Sequence, residues 1–414
     1  MAAPLQNVGE VAPREAVAVE ANASSKSRRR WEPLDYFRFG AVLLMVQGHA
    51  FNVFIDEAIR PETWYRWHGY VHGYTAPMFL FAAGLAFGVT TFRGWDKHLS
   101  FNRTVFRRLE RYLLIVGIGY LLHLPGFAVS GLWNASDAQL RNLLKVDALQ
   151  NIGVTLIFCE LAVLALRRRT VYVAVAGAIG TILAIAAPWV WNLEIGTSLP
   201  PVLAAYVNNE TGSIFPLFPW SAFILFGIVS AHFIERYREK YGERPGADVL
   251  VTAGAAIVGA AWLIHTGLHK GGIDLFGDHN FWKTNPLWFL WRIGIVVLLL
   301  AILAAVADFI RRRSNDGAPG PVRRTIQVLG QETLVIYVVH LIALYGSPFH
   351  IGFNRSVGKT LPVDQAFWAF TVLMALMVVL AWGWHWIKTK RPNEFTVGRL
   401  ILLGAVLVYV CATG

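Results

Sequence analysis

Long apolar runs recur along this chain of 414 residues and dictate what it can fold into. A helix needs about 20 mainly apolar residues to cross roughly 30 Å of hydrocarbon in a bilayer. We find eleven such segments, which predict an all-α polytopic membrane helix bundle of about eleven transmembrane helices. Their approximate limits are 34–54, 69–91, 112–131, 146–166, 170–191, 214–234, 247–268, 286–307, 325–346, 366–387 and 397–413.

The composition excludes a second, soluble domain. Only 15% of the residues are charged and the mean hydropathy is +0.47, whereas an average soluble domain has about 25% charged residues. The first 30 residues are more polar, lack the apolar core of a signal peptide and end in a basic run. We therefore predict a disordered cytoplasmic tail at 1–30 and one transmembrane domain at 31–414.

Lysine and arginine are distributed unevenly between the connections of the predicted spans. If the spans alternate in direction, 27 of these residues fall on the side of the tail and 8 on the opposite side, while Arg38 and Arg292 lie within spans. The positive-inside rule then places the tail in the cytoplasm and the C-terminus outside. The basic residues form short clusters between apolar runs, so they indicate membrane topology and not a nucleic-acid partner. We expect the protein in the cell (inner) membrane, in contact with lipids.

Polar side chains at membrane depth collect at two levels. Charges there are costly and usually face a cavity or a partner. His49 lies about 21 Å along the first span from Asp35, near its external end, whereas Asp35 and Arg38 share one helical face at the cytoplasmic end. The external level contains His49, His68, His72, Asp147, Gln150 and His340, and the cytoplasmic level contains Asp35, Arg38, Arg107, Arg108 and Arg111.

The two levels suit a reaction with a cytoplasmic anionic donor and an external acceptor. Acyl-CoA fits the donor, since its phosphates need arginine or lysine as counter-charges. A histidine can take the proton from an attacking hydroxyl or amine near pH 7. We find no metal site, phosphate loop or nucleophile elbow in the sequence, and we expect acyl-CoA as a donor substrate with no permanently bound cofactor.

Each of these residues also has a purely structural interpretation. A single histidine near a helix end is commonly an interfacial hydrogen-bonding group. Arg107 and Arg108 could be topological anchors, and Asp35 could simply pair with Arg38 inside the protein.

Several stretches resemble those of known membrane acyltransferases. The run from Leu34 to His49, with its Asp-x-x-Arg start and terminal histidine, resembles the opening helix of heparan-alpha-glucosaminide N-acetyltransferase-like proteins and of the acyltransferase 3 family. Singly the motifs are weak, but they follow the expected order over nearly the whole predicted membrane domain. The other matching stretches are 77–84, 147–153, 218–220 and 329–340.

The resemblance implies transfer of an acyl group, usually acetyl, from cytoplasmic acyl-CoA to a sugar on the far side of the membrane. It also implies an eleven-helix fold for the glucosaminide group. That group tends to have asparagine at the position of His49 and its active histidine before the second span, where this chain has His68 and His72. The catalytic base therefore stays open among these three, with His49 first, His72 second and His68 third.

The remaining polar residues receive binding roles. We predict that Arg38, Arg107, Arg108 and Arg111 hold the CoA phosphates and that Asp35, Asp147, Gln150 and His340 bind substrate, with a glycan or other sugar as acceptor.

Two other functions compete with this one. Buried Asp, Arg and His could form the proton relay of a secondary transporter, although no span pair has the matched breaks typical of transporters. A non-catalytic glycan-binding protein of the same fold would bind no CoA. A homodimer is compatible with the sequence.

Overall fold

A computed structural model describes residues 30–242, 246–313, 319–346 and 351–412. The predicted tail, apart from Arg30, lies outside these residues. Within them the fold is helical, with a single isolated β-bridge between Ile55 and Leu361. The α-helices are α1 (Glu32–Phe54), α2 (Thr63–His72), α3 (Thr75–Arg93), α4 (Arg103–His123), α5 (Asp137–Leu144), α6 (Ala148–Leu166), α7 (Arg169–Trp191), α8 (Pro201–Val207), α9 (Leu217–Tyr241), α10 (Ala247–Lys270), α11 (Phe281–Thr284), α12 (Pro286–Arg313), α13 (Pro321–Gln331), α14 (Thr333–Tyr345), α15 (Phe353–Ser356), α16 (Val363–Lys390) and α17 (Pro392–Ala412).

The predicted polytopic helical bundle is confirmed. In the described ranges, eight helical stretches are long and apolar enough to cross a membrane, counting α2 and α3 as one, and the bent pair α13 and α14 makes nine. The other two predicted segments coincide with α1 and with part of α4. Each of the eleven segments thus contains a helix, while the number of spans stays a prediction.

The third segment differs most from its predicted limits. Helix α4 starts at Arg103, because the Asn102 side chain caps it by accepting from the amides of Thr104 and Val105. Its first turns contain arginines that hydropathy excluded from the predicted span. The helix ends at His123, shortly before Pro125, which cannot continue a helix.

The ninth segment is broken. Helices α13 and α14 meet at Glu332 and form an angle of 76°. The Glu332 carboxylate is buried at this bend, where it accepts hydrogen bonds from Lys388 at 3.0 and 3.1 Å and lies 3.1 Å from a ring nitrogen of His385. Two side chains of α16 therefore hold the bend in place.

Helix α1 lies between the two apolar clusters that form the core. Phe37 and Ala41 pack in a cluster with α3, α6, α7, α9 and α12. Val42, Met45 and Val46 pack in a second cluster with α13, α14 and α16. Both halves of the bundle are therefore built on α1.

Glycines allow α3 and α9 to approach within backbone contact. A Cβ on Gly84 would lie 1.9 Å from the Ile224 carbonyl oxygen, and one on Gly227 would lie 2.3 Å from that of Phe81. Small residues at such contacts are typical of helices packed in membranes, where close van der Waals contact drives association.

The C-terminal end of α1 is fixed by hydrogen bonds to its last carbonyls. The amides of Lys359 and Leu361 donate to the carbonyls of Val53 and Phe54 at 2.7 and 2.9 Å. The Arg60 side chain donates to the Asn52 carbonyl at 2.6 Å. These contacts replace the partners that helix carbonyls lack at a C-terminus, so the last turns of α1 are held firmly.

Cysteine labelling tests the predicted topology. Ser100 and Ala138 are exposed and lie in connections that the charge count places on opposite sides. In a background with Cys159→Ala and Cys411→Ala, an impermeant maleimide applied to intact cells should label Ala138→Cys. It should label Ser100→Cys only after permeabilisation. External labelling of Ser100→Cys would refute the proposed orientation.

Candidate active site

Arg38 and His49 project from one face of α1. Eleven residues separate them, which is close to three helical turns and a rise of about 16–17 Å. They therefore lie at two ends of one polar stripe. We call these the histidine end, defined by His49, His72 and His340, and the basic end, defined by Asp35, Arg38 and Arg111.

A second stripe, on α14, faces the first. Thr333 and His340 are seven residues apart, which is nearly two turns, so they also share a face. Thr333 Oγ1 accepts a hydrogen bond from Arg38 Nη2 at 2.7 Å. The ring of His340 lies 5.4 Å from that of His49, between centroids. The structure thus joins the two ends through paired contacts along α1 and α14.

His49 lies at the centre of the histidine end. Its ring centroid is 5.9 Å from that of His72 and 6.0 Å from that of Tyr345. Its Nδ1 is 3.3 Å from the Tyr345 hydroxyl, and no partner is found for its Nε2 among the described residues. The side chain is only partly buried, so this nitrogen can meet a substrate.

One ring nitrogen of His340 has no hydrogen-bond partner among the described residues. Its Nδ1 donates to the Ile336 carbonyl at 2.7 Å, which places the proton of the neutral ring on Nδ1 and leaves Nε2 as an acceptor. That Nε2 is buried and has no hydrogen-bond partner in the part of the chain that the structure describes. Its lone pair therefore remains available beside His49.

His72 packs in a notch on α1. A Cβ on Gly48 would lie 1.9 Å from His72 Nδ1, so only glycine admits the ring here. His72 Nδ1 is 3.2 Å from Thr75 Oγ1. These contacts fix the ring next to His49.

His68 lies one helical turn before His72 on α2. Its Nε2 is 3.0 Å from Gln47 Oε1, and its ring stacks on that of His72 with an interplanar angle of 3°. Because His72 lies between His68 and His49, the structure places His68 at the edge of the cluster.

Asp147 and Gln150 form a capping box at the start of α6. The Asp147 carboxylate accepts from the Ala148 amide at 2.8 Å, and Gln150 Oε1 accepts from the Asp147 amide at 3.3 Å. Such reciprocal bonds stabilise a helix N-terminus. The Gln150 Nε2 is buried and unpartnered among the described residues, and the Asp147 charge is close enough to His49 to interact with it.

At the basic end, the partner of Asp35 is Arg30. The Arg30 guanidinium donates to both carboxylate oxygens, from Nε at 2.7 Å and from Nη2 at 2.6 Å. Within the described ranges, no carboxylate lies within 4 Å of Arg38. The charge of Arg111 is near enough to act on that of Arg38. The hydrogen-bond partner of Arg38 is thus a hydroxyl, while the charges of Asp35 and Arg111 both act on it without an ion pair among the described residues.

Arg108 belongs to a buried ion-pair network. Its Nε is 3.2 Å from Glu160 Oε2, and the other Glu160 oxygen is 2.8 Å from His98 Nδ1. Arg108 also donates to Thr91 Oγ1 at 2.9 Å and stacks on Phe87. These contacts join α3, α4 and α6.

The other two predicted arginines of α4 are exposed. Arg107 and Arg111 lie at the surface, in contrast to Arg108. They are therefore the members of this cluster whose side chains are accessible to a ligand.

Sequence reasoning missed three residues of this region. Tyr345 and Thr333 are ordinary in sequence, and only the packing of α14 on α1 brings them to His49 and Arg38. Glu160 was detectable from the sequence, since a carboxylate inside an apolar span needs a partner. The described part of the chain contains no cluster of three His, Cys, Asp or Glu side chains able to hold a metal ion.

The sequence pattern of an acyltransferase domain, that of the acyltransferase 3 family, matches residues 31–386. The match runs from the start of α1 into the last turns of α16. The chain belongs to the acyltransferase 3 family. It is accordingly a multi-pass membrane acyltransferase. Of the two predicted resemblances, the one to the acyltransferase 3 family is confirmed. No curated protein matches the chain significantly.

Glu160 provides a test of the buried network. Glu160→Ala would leave the Arg108 charge uncompensated inside the protein, and breaking a buried pair typically costs about 3–5 kcal/mol. We expect a clear fall in the thermal unfolding temperature of the purified protein. Glu110→Ala, an exposed carboxylate on α4, is the control and should unfold like the wild type. Equal unfolding temperatures for the Glu160 and Glu110 variants would contradict a stabilising role.

Proposed function

We propose that this acyltransferase 3 protein transfers an acyl group, in the simplest case acetyl, from cytoplasmic acyl-CoA to a sugar hydroxyl or amine on the outer side of the membrane. The observation that supports the proposal most is the paired stripe on α1 and α14. It puts an arginine without a carboxylate partner at one end and a histidine with a free ring nitrogen at the other.

The basic end suits the phosphates of CoA. Arg38 retains donors beyond its bond to Thr333, and the exposed Arg107 and Arg111 can add charge. Helix α14 begins at Thr333, and within the described residues no side chain caps this start. Its first backbone N–H groups and its dipole therefore also favour an anion there. Arg108 instead positions the start of α4 through Glu160.

The histidine end suits the chemical step. In the proposed reaction, His49 accepts the proton of the sugar hydroxyl or amine while that atom attacks the thioester carbonyl, and CoA leaves as the thiol or thiolate. The extended pantetheine arm of CoA separates its thioester from its phosphates over a length similar to the Arg38 to His49 rise. His72 and His340 lie beside His49 and orient it or the acceptor.

The resemblance to glucosaminide N-acetyltransferases offers two other candidates for the catalytic base. His68 and His72 lie at the start of the second predicted span, close to where that group has its active histidine in a loop, but here both are on helix α2. In the structure both rings are occupied by protein contacts on one nitrogen, with Gln47 and Thr75. His49 has the same kind of contact with Tyr345, so what favours it as the base is its position at the centre of the cluster, beside both His72 and His340.

Arg38→Ala tests the donor site. Loss of one charge-assisted contact costs about 1.5–3 kcal/mol, so acyl-CoA should bind about 10- to 100-fold more weakly. Calorimetry with acetyl-CoA measures this. The control is Arg312→Ala, an exposed arginine whose partner is Asp308, and it should leave the affinity unchanged. If Arg38→Ala binds acetyl-CoA like the wild type, Arg38 is not part of the donor site.

His49→Ala and His49→Gln test the base. Both variants should insert and bind acetyl-CoA normally while turnover falls by roughly 10²–10⁴, the usual contribution of a general base. Glutamine keeps hydrogen bonding but not basicity, so it should be nearly as slow as alanine. Turnover is followed as acceptor-dependent release of free CoA by the purified protein.

His68→Ala and His72→Ala are the internal comparison for this experiment. If either abolishes turnover while His49→Gln retains it, the base lies on α2 and His49 orients the acceptor. Should all these variants remain active, none of the three histidines is the base.

A further inference from the structure

Arg292 is a second arginine inside the bundle and takes no part in the reaction as described above. It lies on α12 six residues after Pro286, about 9 Å along the helix from its start. A guanidinium at such a depth is costly unless something compensates its charge. The charge count placed it, like Arg38, inside a predicted span.

The protein compensates this charge only in part. The Arg292 guanidinium carbon lies 5.3 Å from the ring centroid of Trp288, a cation–π contact. Its Nε is buried without a hydrogen-bond partner, and no carboxylate lies within ion-pair distance, among the residues that the structure describes. Arg93 and Arg108, by contrast, bind the buried carboxylates of Glu235 and Glu160.

Arg292 also lies next to the turn that follows His72. Its Nη2 is 3.8 Å from the position that a Cβ on Gly73 would occupy, and Gly73 directly follows His72 in the chain. The Tyr74 side chain, next along, is close enough to act on the Arg292 charge. The planar, multiply donating head of an arginine suits carboxylate and phosphate groups.

We infer that Arg292 binds an anionic group of the acceptor, so that the substrate class is an acidic sugar, bearing a carboxylate or a phosphate. The inference rests on the proposed function, since it concerns the acceptor of that reaction. Binding would place a negative charge beside the uncompensated guanidinium and bring the sugar next to His72 and His49. No bond is formed or broken at Arg292 itself.

Paired probes that differ in charge test this inference. The purified full-length protein in lipid nanodiscs is titrated calorimetrically with methyl β-D-glucuronide and with the methyl ester of that compound. In a second arm, glucose 1-phosphate is compared with methyl glucoside. The wild type should bind the charged member of at least one pair about tenfold or more tightly, and the two arms separate a carboxylate from a phosphate preference.

The variants assign the preference to one side chain. Arg292→Gln should abolish it, Arg292→Lys should keep part of it because the charge remains, and both should bind acetyl-CoA like the wild type. The matched control is Arg355→Gln. This exposed arginine lies in a connection that the charge count places outside, on the same side of the membrane as the start of α12. It should keep the full preference.

The outcomes separate this inference from the proposed function. A wild type that binds charged and neutral probes alike, or binds none of them, overturns the inference even if it releases CoA. A preference that persists in Arg292→Gln also overturns it. A wild type that prefers the charged probes but never releases CoA from acetyl-CoA supports the anion site and contradicts the proposed reaction.

Discussion

Neutralising buried charge is the constraint on which the rest of this bundle depends. Breaking a buried ion pair costs about 3–5 kcal/mol, so a buried carboxylate specifies which cation must lie next to it. Glu235 on α9 binds Arg93 at the end of α3, and Glu160 on α6 binds Arg108 on α4. The four helices are therefore held in register by charge as well as by apolar packing.

Arg38 and Arg292 depart from this rule, and the departure is informative. Each retains a charge at depth with only a partial partner, a hydroxyl for Arg38 and an indole ring for Arg292. A ligand with negative charge removes the cost in both cases. One lies at the basic end and the other next to the turn after His72, where the proposed donor and the proposed acidic acceptor would supply that charge.

The helices followed from the sequence because each depends on local information. Apolar runs located all eleven segments, and the spacing of Asp35 and Arg38 predicted one helical face for both. The pairing of side chains was not predictable in this way, since it depends on which helices become neighbours. Asp35 thus binds Arg30 and not Arg38, and Arg108 turned out to be bound by Glu160. Hydropathy also gave no sign of the bend at Glu332.

The bend at Glu332 shows how a break in a span can assemble a site. In a straight helix all backbone N–H groups would be hydrogen-bonded within the helix. Residue 333 could then contact a ligand only through its side chain. Because α14 starts anew at Thr333, its unpaired N–H groups and positive dipole end lie at the Arg38 side chain. The carboxylate of Glu332 would cancel this field if it were free, but Lys388 neutralises it. The basic end thus keeps a positive potential that neither α1 nor α14 would provide alone.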